Sequence, residues 1–132
     1  MSTADNKQLI QHLFAEMAKR NAEAVLGAIA DDVRFTLIGT TKYSGTYHGK
    51  AEWTSKVLEP VFSQIEGEIT LTLENLIAEG DYVVLQARAK TTTKAGIPYN
   101  NTYCHVFRIA NNKVQEWTEY LDTEMVTAAF GK

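Results

Sequence analysis

The residues from Tyr99 to Asp122 constrain the fold most strongly, because they have the pattern of a long antiparallel hairpin. Two runs rich in Tyr, Val, Phe, Ile, Trp and Thr flank the polar segment Ala110-Asn111-Asn112. This composition is typical of a strand, a turn and a second strand. Almost every side chain capable of chemistry lies on these two strands, so we expect the functional site to be built on the hairpin.

The turn of this hairpin leaves two registers open. A two-residue Asn111-Asn112 turn pairs Ile109 with Val114. The face of His105 then also carries Tyr103, Phe107, Glu116, Thr118 and Tyr120.

A three-residue turn with Asn112 in the left-handed conformation pairs Ile109 with Lys113 instead. The face of His105 then also carries Tyr103, Phe107, Gln115, Trp117, Glu119 and Leu121. We favour the second register, because Lys113 tolerates a bulge and Trp117 then joins the aromatic face.

Length and charge restrict the class of protein. At 132 residues the chain is predicted to form one domain, and its 45% hydrophobic and 22% charged residues are ordinary for a globular protein. The net charge is -3 and the basic residues are scattered, so we expect neither nucleic acid nor an anionic membrane as a partner. No apolar run reaches the ~18 residues that a membrane-spanning helix needs.

The cysteine and histidine content argues against several other kinds of site. The N-terminal sequence does not have the pattern of a signal peptide, and the single Cys104 fits a reducing compartment, so a cytoplasmic location is expected. The three histidines, His12, His48 and His105, lie far apart and do not form a metal-ligand pattern. We therefore expect no metal and no cofactor.

The first half of the chain is predicted to be mainly helical. Apolar residues with helical spacing predict a first helix, with Leu9, Ile10, Leu13, Phe14 and Met17 on one side. Asn21 is a typical cap for a second helix that ends near a turn at Asp31-Asp32. A strand is expected from Val33 to Ile38. A third helix begins at Lys50 and should bend or end near Pro60.

The segment from Gly39 to Gly49 is predicted to be a loop. It carries Tyr43, Tyr47 and His48. A long polar loop with aromatic residues fits either a lid over a pocket or a packed surface loop, and the sequence leaves both open.

Two further strands precede the hairpin. The stretch from Glu68 to Ala78 alternates between apolar and polar residues, and Tyr82 to Thr93 places Gln86, Arg88 and Lys90 on one face. The predicted fold is α+β, with a curved antiparallel sheet, helices on one face and a pocket between them. The outer hairpin face is apolar, with Cys104, Val106, Val114 and Tyr120. We therefore expect a homodimer that forms through this sheet face.

The order of elements, the segment SGTYHGKAEW and the ending FRIANNKVQEWTEYLD are similar to one superfamily. The chain resembles nuclear transport factor 2-like proteins, in particular the SnoaL-like polyketide cyclases and ketosteroid isomerase-related proteins. The resemblance spans nearly all of residues 1–132. It implies a single domain with a cone-shaped, strongly curved, mixed and mostly antiparallel sheet of the cystatin-like type, with three helices on one face.

Two enzyme groups within this resemblance guide the choice of site residues. Compared with ketosteroid isomerases, His105 stands near the position of a protonated Asp, and Thr36 or Leu37 stands where those enzymes have their base. Compared with limonene epoxide hydrolases, Arg88 matches the Arg and Glu119 matches the last Asp, whereas Gln86 replaces the first Asp. The resemblance therefore does not imply either of these reactions for this chain.

The hairpin alternation and the resemblance together predict a catalytic group of Glu119, His105 and Arg88. A carboxyl, an imidazole and a guanidinium in an apolar cavity can transfer protons. The predicted ligand-binding residues are Tyr103, Trp117, Phe107, Phe14, Tyr47 and Trp53. The expected function is binding of a small apolar molecule that bears oxygen, with proton transfer of the isomerase, cyclase or hydratase type. The alternative is a non-catalytic binding or dimeric association module, in which Glu119 and Arg88 form a structural ion pair.

Overall fold

The chain begins with two helices that the sequence predicted. In the computed structural model, which describes residues 2–132, α1 spans Thr3–Ala18 and α2 spans Ala22–Gly27. The Asp5 amide donates to Ser2 Oγ at 3.0 Å, and the Ala24 amide donates to Asn21 Oδ1 at 3.3 Å. These side chains satisfy amides that have no partner within the first turn of each helix, and they fix where each helix begins.

A six-stranded curled sheet forms most of the domain. The strands are β1 (Ile29–Leu37), β2 (Gly45–His48), β3 (Ile65–Glu79), β4 (Tyr82–Thr93), β5 (Pro98–Ala110) and β6 (Lys113–Leu121). Their order across the sheet is β2-β1-β6-β5-β4-β3. Only β1 and β6 pair in parallel, and the other neighbours are antiparallel. The predicted α+β class with a mixed, mostly antiparallel sheet is confirmed.

Two sequence predictions about the first strands are wrong. Asp31 and Asp32 lie inside β1 and not in a turn, at an irregularity between Ile29 and Arg34 in the pairing with β6. Part of the predicted loop from Gly39 to Gly49 forms β2, which pairs with β1. The parallel pairing of β1 with β6 extends β1 toward its N-terminus, and local composition cannot reveal such a partner.

The third helical region is interrupted close to the predicted proline. It consists of α3 (Lys50–Trp53), a π-helical segment (Thr54–Leu58) and α4 (Glu59–Ser63). The Glu59 amide bonds to the Thr54 carbonyl, five residues earlier, immediately before Pro60. Because Pro60 has no amide hydrogen, the chain loses a regular helical hydrogen bond there, and the wider π-turn accommodates the change.

A fifth helix, α5 (Thr123–Phe130), follows the hairpin and was not predicted. Asp122 caps it, since the Glu124 amide donates to Asp122 Oδ1 at 3.0 Å. The buried residues of α5 are Val126, Ala129 and Phe130. A capping Asp followed by apolar residues at helical spacing is a signal that the sequence did contain.

The hairpin combines features of both predicted registers. Asn111 and Asn112 have φ of 52° and 58°, and Ile109 pairs with Val114, as in the two-residue turn. A bulge then shifts the register between Ile109 and Arg108, so that Gln115 is the extra residue of β6. The predicted turn length is therefore wrong.

The bulge nevertheless produces the face that we favoured. Beyond it, His105 pairs with Glu119, Phe107 with Trp117 and Tyr103 with Leu121. An extra residue in the turn and an extra residue in the strand have the same effect on every later side chain. Val114, which was expected on the outer face, is instead fully buried in the core.

Candidate functional site

A cavity of about 120 Å³ lies between the concave side of the sheet and the helices. The helices contribute Phe14, Trp53, Val126 and other apolar side chains to its wall. The hairpin contributes most of the polar groups, namely Tyr99, Tyr103, His105 and Glu119, and Tyr43 and Thr91 add a hydroxyl each. Among the described residues, the wall includes no Lys, Arg or Asp. The cavity is therefore apolar, with a polar strip on one side.

His105 is held as a neutral imidazole. His105 is 2% exposed, and Trp117 Nε1 donates a hydrogen bond to His105 Nδ1 at 3.0 Å. Because Nδ1 accepts this hydrogen bond, the imidazole proton lies on Nε2. Burial lowers the pKa of His105 from 6.5 to about 3. The Phe14 ring lies 4.9 Å from the imidazole and the Tyr103 ring stacks on it at 5.0 Å.

Glu119 lies directly across the hairpin from His105. Its Oε1 is 3.7 Å from His105 Nδ1, which is too long for a hydrogen bond, and the side chain keeps 15% of its exposure. Burial raises the pKa of Glu119 from 4.5 to about 8. Among residues 2–132 the carboxyl has no hydrogen-bond partner, although it borders the cavity. At neutral pH the site thus contains a protonated carboxyl and an uncharged imidazole.

Two tyrosines extend the polar strip along β5. Tyr99 Oη and Tyr103 Oη are 2.8 Å apart, and Asn101 Nδ2 donates to Tyr99 Oη at 2.9 Å. Burial raises the pKa of Tyr99 to about 12 and raises that of Tyr103 as well. Both hydroxyls therefore stay protonated over the physiological range. Tyr99 was not among the predicted ligand-binding residues, although it lies on the same face of the strand as Tyr103.

Most of the predicted ligand-binding residues border the cavity, but two do not. Phe14, Trp53, Tyr103 and Trp117 are part of its wall. Phe107 is fully buried behind this wall, where it packs against Phe14 and Trp117. Tyr47 faces Phe35, and its hydroxyl donates to the Tyr43 carbonyl at 2.8 Å. Phe107 and Tyr47 thus lie outside the cavity wall, and the structure does not place them where a ligand in this cavity would contact them.

The structure also corrects the position of Arg88. Its side chain lies on the outer side of the sheet, where Nε is 3.2 Å from Glu74 Oε1. The cross-strand register explains this, because Leu85 pairs with His105 and Ala87 with Tyr103, which places Leu85 and Ala87 on the concave side. Arg88 neither joins Glu119 in a catalytic group nor forms a structural ion pair with it.

Several residues of the cavity wall were not foreseen. Tyr43 and Phe130 pack edge to face, with ring centroids 6.0 Å apart, and Phe130 contacts Tyr99 at 4.9 Å. Lys42 Nζ donates to the Phe130 carbonyl at 2.6 Å and links the segment before β2 to the end of α5. These contacts join three parts of the chain that are remote in sequence. No periodic pattern could have predicted them.

The described residues, from Ser2 onward, provide no group of three or more His, Cys, Asp or Glu side chains suited to a metal ion. Within the same part of the chain, no helix has the length and apolarity to cross a membrane.

Comparison with solved structures places the fold. An NTF2-like protein of unknown function from Burkholderia pseudomallei has a TM-score of 0.82 at 25% identity, covering 98% of this chain and 99% of that one. A provisionally named isomerase from Bacillus subtilis has a TM-score of 0.87 at 16% identity, covering 100% and 98%. An LEH-like epoxide hydrolase from M. tuberculosis has a TM-score of 0.76 at 15% identity, covering 96% and 90%. These likenesses establish the nuclear transport factor 2-like fold.

Comparison at the level of sequence gives the family. No curated protein is detectably similar in sequence. A family model described as the SnoaL-like domain matches residues 10–117, which include the second half of α1, the strands β1 to β5 and His105. The match covers most of the chain. The chain therefore belongs to the SnoaL-like domain family.

Proposed function

We propose that the protein binds a small, apolar, oxygen-bearing molecule in its cavity and catalyses proton transfer on it, as an isomerase, cyclase or hydratase does. The observation that carries this proposal is the largely buried Glu119 carboxyl, which borders the cavity beside a neutral His105. A largely buried carboxyl without a hydrogen-bond partner among the described residues is costly to maintain, and a ligand oxygen would compensate for that cost.

The cavity restricts the ligand by charge and by size. With Glu119 protonated, His105 neutral and Arg88 outside, the wall offers no counter-charge for a carboxylate or a phosphate. The volume of about 120 Å³ is slightly below the ~150 Å³ of an engineered cavity that binds benzene. We therefore expect a neutral molecule with about one ring, and not a multi-ring steroid.

Glu119 is the group best suited to move a proton. With a pKa of about 8, roughly a tenth of the carboxyl is ionised at pH 7, and this carboxylate is a stronger base than an ordinary one. His105 is a poor base, because its pKa is about 3. It can still donate its Nε2 hydrogen to a ligand oxygen.

The reaction that fits these groups is an enolisation. The Glu119 carboxylate takes a proton from the carbon next to a carbonyl, and the bonding electrons move to the carbonyl oxygen. The hydroxyl of Tyr103 and the Nε2 hydrogen of His105 stabilise the resulting enolate oxygen. The protonated Glu119 then returns the proton to the same carbon or to a conjugated one, which restores the enzyme.

Exchange of carbon-bound hydrogen for deuterium tests this proposal. A panel of neutral cyclic ketones and enones is incubated with the protein in heavy water and followed by NMR. We expect wild-type protein to accelerate the exchange of at least one compound, and Glu119→Gln to slow it by roughly 10²- to 10⁴-fold. The matched control is Glu74→Gln, which changes a carboxyl on the outer side of the sheet.

Ligand binding without exchange would support the non-catalytic alternative. Binding is measured separately as an increase in melting temperature. A compound that stabilises wild type and Glu119→Gln equally, and that exchanges no faster than in buffer, would exclude catalysis on that compound. If no member of the panel binds, the proposed ligand class is wrong.

We also propose that two chains associate through the outer side of the sheet. Ile77, Tyr82 and Tyr120 are 58%, 49% and 45% exposed there. Ile77 lies in one cross-strand row with Val84 and Val106. A row of apolar side chains across several strands is typical of an interface.

The single Cys104 remains consistent with the predicted cytoplasmic location.

Sedimentation tests the homodimer. Tyr120→Lys places a charge in the proposed interface, so we expect it to sediment as a monomer under conditions in which wild type is a dimer. Gln8→Lys adds the same charge on the exposed side of α1 and should leave the dimer intact. A Tyr120→Lys protein that remains a dimer would exclude this interface.

A further inference from the structure

Three residues on the concave side of β5 are joined by hydrogen bonds, and only one of them, Tyr103, takes part in the proposed reaction. Tyr99, Asn101 and Tyr103 alternate along the strand and point to the same side. The small residues Ala87 and Ala89 lie opposite Tyr103 and Asn101 on β4 and leave room for the larger side chains. The two phenol oxygens meet at 2.8 Å. We call these three residues the hydroxyl chain.

The orientation of the Asn101 amide is fixed by the backbone. Its Oδ1 accepts from the Thr102 amide at 2.7 Å and from the Asp122 amide at 3.0 Å. A flipped amide would point its NH₂ group at these two donors, so the observed orientation is the only one that satisfies them. Asn101 Nδ2 is therefore the donor to Tyr99 Oη, and it also donates to the Asp122 carbonyl at 3.1 Å.

This orientation determines which tyrosine donates to the other. Tyr99 is 7% exposed, and its oxygen already accepts from Asn101. Within residues 2–132 its only other polar partner is Tyr103 Oη. If Tyr103 donated to Tyr99, the Tyr99 hydrogen would be buried without an acceptor, at a cost of about 1–3 kcal/mol. With Tyr99 as the donor, the hydrogen that has no partner in the described part of the chain is that of Tyr103, which is the less buried of the two tyrosines and borders the cavity. Tyr99 therefore donates to Tyr103.

We propose that Asn101 and Tyr99 are positioning residues that keep the Tyr103 hydroxyl hydrogen directed at a ligand oxygen in the cavity. This inference rests on the proposed function, because it supplies the donor that an enolate oxygen requires. Each hydrogen bond in the chain polarises the next, so Tyr103 is a stronger donor than an isolated phenol. No proton has to move along the chain. Its contribution is the orientation and strength of one hydrogen bond.

Bound 4-nitrophenol reports on this donor, because its absorption spectrum distinguishes the phenol from the phenolate. A stronger donor stabilises the phenolate and lowers the pKa of the bound probe. Removing the donor itself with Tyr103→Phe should weaken phenolate binding relative to phenol binding at least tenfold, since hydrogen bonds to charged groups are the strong ones. Tyr99→Phe should weaken it about threefold.

The double variant Tyr99→Phe/Tyr103→Phe separates positioning from a structural effect. If Tyr99 acts through Tyr103, the double variant equals Tyr103→Phe alone. Tyr47→Phe is the matched control, since Tyr47 Oη donates to the Tyr43 carbonyl and Tyr47 lies outside both the cavity wall and the hydroxyl chain. It should leave the pKa of the bound probe at the wild-type value. Independent, additive effects of the two tyrosines would overturn the proposal.

A second measurement on the ligand-free protein keeps the two proposals distinguishable. NMR of tyrosine-labelled protein assigns the hydroxyl hydrogen shared by the two phenols through its coupling to ring carbons. We expect coupling to the Tyr99 ring, and coupling to the Tyr103 ring would overturn the inference. If 4-nitrophenol does not bind to wild type, the proposed ligand class loses support, while this assignment still decides the direction of the hydroxyl chain.

Discussion

Replacing Glu119 with Gln changes how the stability of the protein depends on pH. The free energy of unfolding depends on pH whenever the folded and unfolded states bind different numbers of protons. In the folded state the pKa of Glu119 is about 8 and that of His105 is about 3, against ordinary values of 4.5 and 6.5. These two groups therefore bind protons differently in the two states.

The sign follows from counting protons in each pH range. Between pH 4.5 and 6.5 the unfolded chain holds one proton on His105 and the folded protein holds one on Glu119, so these groups leave stability flat. From pH 6.5 to 8 only the folded protein holds a proton, so stability falls as pH rises. Below pH 4.5 the unfolded chain holds two protons on these groups, whereas the folded protein still holds one, on Glu119. Stability therefore falls as the pH falls toward 3.

The magnitude on the alkaline side follows from the width of that range. Each pH unit in which the states differ by one proton changes the free energy of unfolding by roughly 1.4 kcal/mol. Wild type should therefore lose about 2 kcal/mol between pH 6.5 and 8 because of Glu119. In Glu119→Gln this loss disappears. The variant should instead lose stability as the pH falls below 6.5, because the unfolded chain then binds a proton on His105 and the folded variant binds no matching proton at residue 119.

Urea unfolding at a series of pH values, followed by the fluorescence of the buried Trp53 and Trp117, measures these slopes. Groups other than Glu119 are the same in both proteins, so their contributions cancel in the difference. Glu79→Gln, at an exposed glutamate of β3, is the matched control for loss of a surface carboxylate. If wild type and Glu119→Gln lose equal stability between pH 6.5 and 8, then Glu119 is not protonated in the folded protein and the reasoning fails.

Two further variants test the structure around the site. Gly39 has φ of +91°, and a Cβ there would lie 2.6 Å from Thr123 Cγ2, so we expect Gly39→Ala to destabilise the protein by about 1–3 kcal/mol in urea unfolding. Gly27→Ala, where a Cβ meets nothing within 4 Å, is the control, and destabilisation of equal size would contradict this account. Arg88→Met breaks the exposed pair with Glu74 and should cost less than about 1 kcal/mol without changing ligand affinity. A loss of affinity would place Arg88 in the site after all.

Local sequence patterns were sufficient to predict most of the helices and strands. The caps at Ser2 and Asn21 and the alternation in β4 each report a preference that short stretches of chain satisfy by themselves. The alternation along β5 and β6 also predicted that His105, Trp117 and Glu119 share one face. This prediction survived an incorrect turn length, because the bulge at Gln115 shifts the register just as a longer turn would.

The sequence by itself thus determined the fold class, the family resemblance and the hairpin residues that form the site. The tertiary structure alone decided which face of β4 is concave, and it placed Arg88 outside the cavity. It also decided the charge of the site, because the pKa of Glu119 depends on burial by helices and strands remote in sequence. Periodicity states which side chains share a face, but the surroundings of that face are set by long-range packing.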